Sequence, residues 1–215
     1  MSRSLGRYIR RIAAIYVPSH QIRLMAREDR FSRGSDHSSF YASGYPAVVF
    51  RESNENFAKQ HSADDTVDGV DFKYLSQNAR VNAAAVASLA LAPGAPKVVN
   101  ERNQPAIGRQ PSGYDANLRW LASPGAVGYR VYRRIPWTNV WDSSEAVGNV
   151  TQFVVAGASI DDWVFGVAAV GADGHESLIS AYVPRSRADP EIKFATEPDT
   201  RPGDLRRPVP PSTRR

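Results

Sequence analysis

His61 lies in the run Gln60-His61-Ser62-Ala63-Asp64-Asp65-Thr66, which offers an imidazole and two carboxylates within a few residues. A neutral imidazole binds zinc at about 2.0–2.1 Å, and a neighbouring carboxylate commonly fixes its tautomer through the other ring nitrogen. Asp64 and Asp65 are close enough in sequence to supply that carboxylate. Asp65 and Thr66 are equally suited to capping a following turn. Upstream, Gly34-Ser35-Asp36-His37 brings a second acid and a second imidazole together. Asp36 and His37 are candidates for a pocket wall or for outer partners of a metal ligand. The competing reading is a capped turn, in which Asp36 or Ser35 bonds the backbone ahead of a helix at Ser38. Asn54, Glu55 and Asn56 are candidates to line the same pocket.

One histidine does not make a metal site, so the elements that must position these residues matter next. Residues 3–16 place Leu5, Ile9, Ile12 and Tyr16 at helical spacing, ending before Pro18. An amphipathic helix lying on a sheet is the expectation, although an organelle presequence shares the pattern. Residues 21–26 alternate polar and apolar and predict a strand. A short helix over 38–42 should end at Gly44. Residues 46–50, Pro-Ala-Val-Val-Phe, predict a strand buried on both faces. The polar stretch 51–69 is long for a loop, and such loops are commonly functional or disordered. Asp71 is a good N-cap for a helix whose apolar stripe is Phe72, Leu75, Ala79, Val86 and Leu89, stopped by Pro93-Gly94. Helix, strand, short helix, strand, helix is an α/β order over residues 1–92.

Residues 93–184 differ. Short alternating runs are separated by turn residues: Leu118 and Trp120, Tyr129 and Val131 after Ser123-Pro124-Gly125, residues 151–155, then Trp163, Phe165, Val167 and Ala169 before Gly174. Six or seven short strands in such a span predict a β-sandwich. Residues 185–215 are rich in Pro, Arg and Asp and predict a disordered tail.

The chain has 215 residues, 42% hydrophobic and 23% charged, enough for a core. With no cysteine, disulfides and thiolate metal sites are excluded. No apolar run reaches the length of a transmembrane helix, and no secretory signal opens the chain. The net charge is +5, but the arginines are scattered in sequence: Arg3, Arg7, Arg10 and Arg11, then Arg130, Arg133 and Arg134, then the C-terminal ones. No nucleic-acid motif accompanies them, so nucleic acid is not an expected partner. Oligomeric state is left open.

The first region resembles the C-terminal part of the co-catalytic zinc aminopeptidases of the bacterial leucyl aminopeptidase type. The resemblance rests on Ser35-Asp36-His37 followed by Phe40, on Gly44-Tyr45-Pro46-Ala47 entering an apolar run, and on His61-x-x-x-Asp65-Thr66 before a helix. It implies a partial zinc-peptidase sheet with flanking helices, with His61 as the last protein ligand of a two-zinc centre. It also implies peptide substrates, exopeptidase hydrolysis by metal-activated water, and a family commonly exported. The departure is large. The family's other ligands and general base come from a His-x-Asp motif, a Glu-Glu pair and a further carboxylate. This chain has no Glu-Glu, and none of His20, His37, His61 or His175 is followed two residues later by Asp. The expectation is therefore a C-terminal piece, inactive alone, with no catalytic residue of its own; a misplaced gene start would give the same picture.

The second region resembles a fibronectin type III domain, with Trp120 as the core tryptophan of the second strand. Trp163 stands where that family has a tyrosine whose hydroxyl bonds back to the chain. An alternative function follows: a non-catalytic spacer or binding protein acting through this domain. Tyr132, Trp137 and Trp141 are candidates for an exposed aromatic surface, although core and edge positions suit them better.

Overall fold

The computed structural model describes residues 2–25, 34–52, 54–109 and 113–183. Helix α1 (Ser2–Tyr16) forms where the spacing predicts it, but it buries Tyr8, Ile9, Ile12 and Ala13 and leaves Tyr16 exposed. Val17, just past the helix, takes the buried place instead. Helix α2 (Asp36–Ala42) starts slightly earlier than predicted and runs into Gly44, whose φ of +83 is the left-handed turn a glycine accepts without cost. Helix α3 (Phe72–Leu91) is capped as expected, the Tyr74 N–H donating to Asp71 Oδ1 at 3.0 Å.

The buried face of α3 is largely not the predicted one. Of the predicted stripe Leu89 packs on the α1–α3 cluster, but Phe72, Leu75, Ala79 and Val86 are exposed, while Val81, Ala85 and Ser88 are buried. Both sets have helical spacing. The small side chains win because they let the α1 backbone approach closely, whereas the bulky stripe needs a further layer to cover it.

The α/β order predicted for residues 1–92 is not found among the described residues. Among the described residues that region holds α1, α2, α3 and a 3-10 turn (Val67–Gly69), with no strand. Residues 21–25 are irregular, and residue 26 lies outside the described set. Residues 46–50 are irregular too and not buried on both faces: Val48 and Phe50 pack on the α1–α3 cluster, and Val49 is exposed. A strand needs a neighbour to satisfy its backbone. None lies alongside in the described residues, and the Ala47 N–H donates to Ser2 Oγ at 3.2 Å instead.

The sandwich predicted for the second region does form. Strands β1 (Ile107–Arg109), β2 (Ala116–Arg119) and β5 (Gln152–Val155) make one antiparallel sheet in the order β1-β2-β5. Strands β3 (Gly128–Arg134), β4 (Ser143–Gly148), β6 (Val164–Val170) and β7 (Ser180–Ala181) make the other, in the order β4-β3-β6-β7. Leu118 and Trp120 from one sheet meet Tyr129, Val131, Phe165, Val167 and Ala169 from the other. The Trp120 and Tyr129 rings lie 5.4 Å apart, tilted. Trp163 makes no hydroxyl bond at its corner; it is half-buried with Arg133 stacked 4.9 Å from its ring. Comparable tethers are made elsewhere. Tyr129 Oη accepts the Ser123 N–H, and Tyr182 Oη donates to the Arg119 carbonyl, each at 2.8 Å. The tail predicted to be disordered, residues 185–215, lies outside the described residues.

On the outer face of the larger sheet, Gly166 is a positional necessity. A Cβ there would lie 2.5 Å from Ile179 Cγ2 and 2.8 Å from Trp141 Cη2, with the Ser180 carbonyl oxygen at 3.2 Å. Gly166→Ala should cost about 1–3 kcal/mol through overpacking, read as a lower denaturation midpoint at unchanged m-value.

Candidate functional site

The segment carrying the predicted site residues is organised by local bonds. The Ser35 N–H donates to Ser38 Oγ at 3.4 Å, so the start of α2 is capped by serine rather than by Asp36. Asp36, the first residue of α2, adds a negative charge at the positive helix end. Further on, Ser62 Oγ donates to the Lys59 carbonyl at 2.6 Å and accepts the Asp64 N–H at 3.3 Å. The Asp65 N–H donates to the Ser62 carbonyl at 3.2 Å. Thr66 stands at the N-cap position of the 3-10 turn. Glu55 pairs with Arg51 at 2.9 Å, and Asn56 Oδ1 accepts the Ala58 N–H at 3.0 Å.

Asp36 and His37 share the wall of a groove of about 350 Å³ with Phe40, Val48, Phe50 and Val86. His61, Asp65, Asn54, Glu55 and Asn56 are not in that wall. His61 and Asp65 are both exposed. Among the described residues no three His, Asp or Glu side chains gather closely enough to hold a metal ion. His20 is occupied structurally, its Nε2 bonded to Asn78 Oδ1 at 2.9 Å and its ring set edge-on to Tyr74 at 5.3 Å.

His61 carries one further mark. Its φ is +61, a conformation shared only with Asn103 among the described non-glycine residues. That geometry costs an L-residue roughly 1–2 kcal/mol, and such strain collects at functional positions. His61→Gly should therefore raise stability by up to about 1 kcal/mol in a thermal melt. A destabilised glycine variant would show that the imidazole holds the loop.

A second groove, about 470 Å³, opens between α1 and the outer face of the larger sheet. Here the structure joins arginines that lie far apart in sequence: Arg7, Arg10 and Arg11 from α1 and Arg130 from β3. Glu176, in the turn after β6, accepts from Arg11 and from the Tyr132 hydroxyl at Oε2, and from Arg130 Nε at 3.0 Å at Oε1. Burial by itself would raise the Glu176 pKa. The Tyr132 hydroxyl, Arg11 and Arg130 outweigh it and hold the carboxyl below the ordinary glutamate range. Burial pushes the Tyr132 hydroxyl well up. Burial, then repulsion from Arg134 and Arg3, lowers Arg7. Of the candidate aromatic surface, Tyr132 is buried and Trp141 half-buried with ring centroids 5.9 Å apart, while Trp137 is 84% exposed. Sequence reasoning missed this cluster because a separation such as that of Arg11 from Glu176, 165 residues, leaves no spacing signal.

No protein-family model matches the chain. It is similar to fungal proteins that bear the name probable zinc metalloprotease. One from Leptosphaeria maculans is 34% identical over 187 residues, covering 82% of this chain and 42% of that protein. One from Pyricularia oryzae is 36% identical over 192 residues, covering 82% of this chain and 37% of that protein. The chain thus spans about two fifths of the length of the curated relatives it matches. Among solved structures it is similar to a Fn3-like protein from Clostridium thermocellum, 26% identical, TM-score 0.35, over 42% of this chain and 88% of that one. It is also similar to the FN5 domain of Drosophila Lar, 19% identical, TM-score 0.31, over 42% of this chain and 94% of that one. Among the described residues no helix is long and apolar enough to cross a membrane.

Proposed function

We propose that this chain is a portion of a zinc-dependent exopeptidase of the aminopeptidase type, contributing His61 to a metal centre and Asp36 and His37 to a pocket wall. The observation that carries the reading is the similarity, over 187 residues, to fungal proteins named as zinc metalloproteases. The ordered motifs Ser35-Asp36-His37 and His61-x-x-x-Asp65-Thr66 lie within the region that the aminopeptidase resemblance covers.

The donors described here do not fit a zinc centre by themselves. A catalytic zinc takes three protein ligands as a rule, and a two-metal centre takes more. His61 stands on an exposed loop, and among the described residues it belongs to no group of three acids or imidazoles that could hold a metal ion. The remaining ligands and the group that takes the proton from water must come from outside this donor set, and no hydrolytic step runs through these residues alone. The exposed imidazole, held in a strained turn, is a donor presented outward to such partners.

The expected result for the 215-residue chain is no zinc-dependent release of nitroaniline from leucine p-nitroanilide, with His61→Ala unchanged from the parent. Zinc-dependent turnover that disappears in His61→Ala would overturn the claim of inactivity. Absence of turnover in a chain extended to the relatives' full length would overturn the peptidase reading itself. His61→Ala should shift folding stability by no more than about 0.5 kcal/mol, as for other exposed loop substitutions. The alternative, a binding module without catalysis, is favoured by the arginine-lined groove on the sandwich.

A further inference from the structure

The groove between α1 and the outer face of the β4-β3-β6 surface holds more positive charge than the chain itself neutralises. Its lining includes Arg7, Arg10, Arg11 and Arg130 but only two carboxylates, Glu176 and Asp142. Glu176 is committed to Arg11, Arg130 and Tyr132. Asp142 Oδ2 accepts the Ile135 N–H at 2.7 Å. Arg7 uses its Nε on the Asn139 carbonyl at 2.9 Å and has no carboxylate partner among the described residues. Arg10 is exposed and likewise forms no ion pair among them. Arg11 keeps Nε and Nη2 buried with no hydrogen-bond partner among the described residues. Its guanidinium lies 5.4 Å from the Tyr8 ring and 5.5 Å from the Tyr132 ring, so Arg11 is held in the groove wall and the free capacity rests with Arg7 and Arg10.

The floor is shaped as well as charged. Gly166 leaves the sheet bare at its centre, so Trp141 and Ile179 lie close over it. Trp141 is flanked by Tyr132 and by Arg134, the latter 5.6 Å from its ring. The groove therefore joins an apolar, aromatic strip to guanidinium donors.

We propose that this groove binds an extended peptide segment carrying acidic side chains at alternate positions, with Arg7 and Arg10 gripping the acids and the Trp141–Ile179 strip taking the apolar residue between them. The spacing suits that ligand. Arg7 and Arg10 are i and i+3 on a helix, about 5–6 Å apart at Cβ. Alternate side chains on one face of an extended peptide are about 6.5–7 Å apart. Arginine forks match carboxylates two bonds at a time. A nucleic-acid strand suits the groove less well. Its evenly spaced phosphates require a continuous basic track, and here Glu176 and Asp142 interrupt it.

The test uses the whole chain and a fluorescein-labelled hexapeptide, Ser-Glu-Val-Glu-Val-Ser, followed by fluorescence anisotropy at low salt. Saturable binding in the micromolar range is expected, weakened by about tenfold or more in the Arg7→Gln/Arg10→Gln variant. Arg10→Gln alone, at an exposed position, should weaken binding without moving the melting temperature. Arg80→Gln, on the exposed side of α3, should leave binding unchanged. The glutamine version of the peptide should not bind. No saturable binding by the parent chain, or equal affinity in Arg10→Gln and in the double variant, overturns the proposal. Equal affinity for a single-stranded oligonucleotide of matched charge would overturn the assignment to peptide.

Discussion

Glu176→Gln should destabilise the chain by about 2–4 kcal/mol, somewhat under the range for breaking a fully buried ion pair, because the Arg11 and Arg130 side chains keep 24% and 34% of their surface exposed. The carboxylate is only 14% exposed and collects two guanidiniums and a phenol. Glutamine keeps the shape but supplies no negative charge, so the half-buried Arg11 is left without its counter-charge. The same site ties α1 to the sandwich, and Leu178, two residues on, packs into the α1–α3 cluster. Urea unfolding should show a lower midpoint, and limited proteolysis should cut near α1 before the sandwich. The pH dependence follows from the depressed pKa. The carboxyl ionises more readily folded than unfolded, so its contribution is fully present above the ordinary value of 4.5 and fades as the pH falls through the lower folded value. The Gln variant should lack that acid-side slope. Equal slopes in parent and variant would show that other carboxylates govern acid unfolding.

Phe165→Ala should cost a comparable amount, about 3–5 kcal/mol, for a different reason. Phe165 is 0% exposed in β6, where it pairs across the sheet with Arg133 of β3 and packs in the core with Leu118 and Trp120. Removing the ring leaves a cavity that neighbours in both sheets, already interdigitated, cannot close. Calorimetry should show a lower melting temperature, with the native sandwich signature retained in the cold. A loss below about 1 kcal/mol would mean that the two sheets are not packed through this ring. Gly166 next to it shows the contrast: alternation sends one residue into the core and the next to the outer face beneath Trp141 and Ile179, so the two substitutions fail by opposite packing errors.

The sandwich was legible because its strands write their own faces. Leu118 and Trp120, or Phe165, Val167 and Ala169, alternate with a period that sequence displays directly, and glycines such as Gly125 and Gly174 mark the turns with φ of +78 and +79. The first region misled for the same reason in reverse. Residues 46–50 are apolar enough for a strand, but apolarity does not supply a hydrogen-bonding neighbour. The α3 stripe was misplaced because Val81, Ala85 and Ser88 look unremarkable beside Phe72 and Leu75, although close helix approach favours the smaller set.

Local causes could be read from the sequence: the Asp71 cap, the Gly44 stop, the alternating strands of the sandwich, and the presence of His61 in a motif lacking its companions. Tertiary structure alone decided what depends on distant partners. It placed Asp36 and His37 on one groove and left His61 outside it. It also turned arginines that looked scattered into one basic groove closed by Glu176. Charge is additive along a chain and can be counted, but its field depends on distance in space, and only the fold sets that distance.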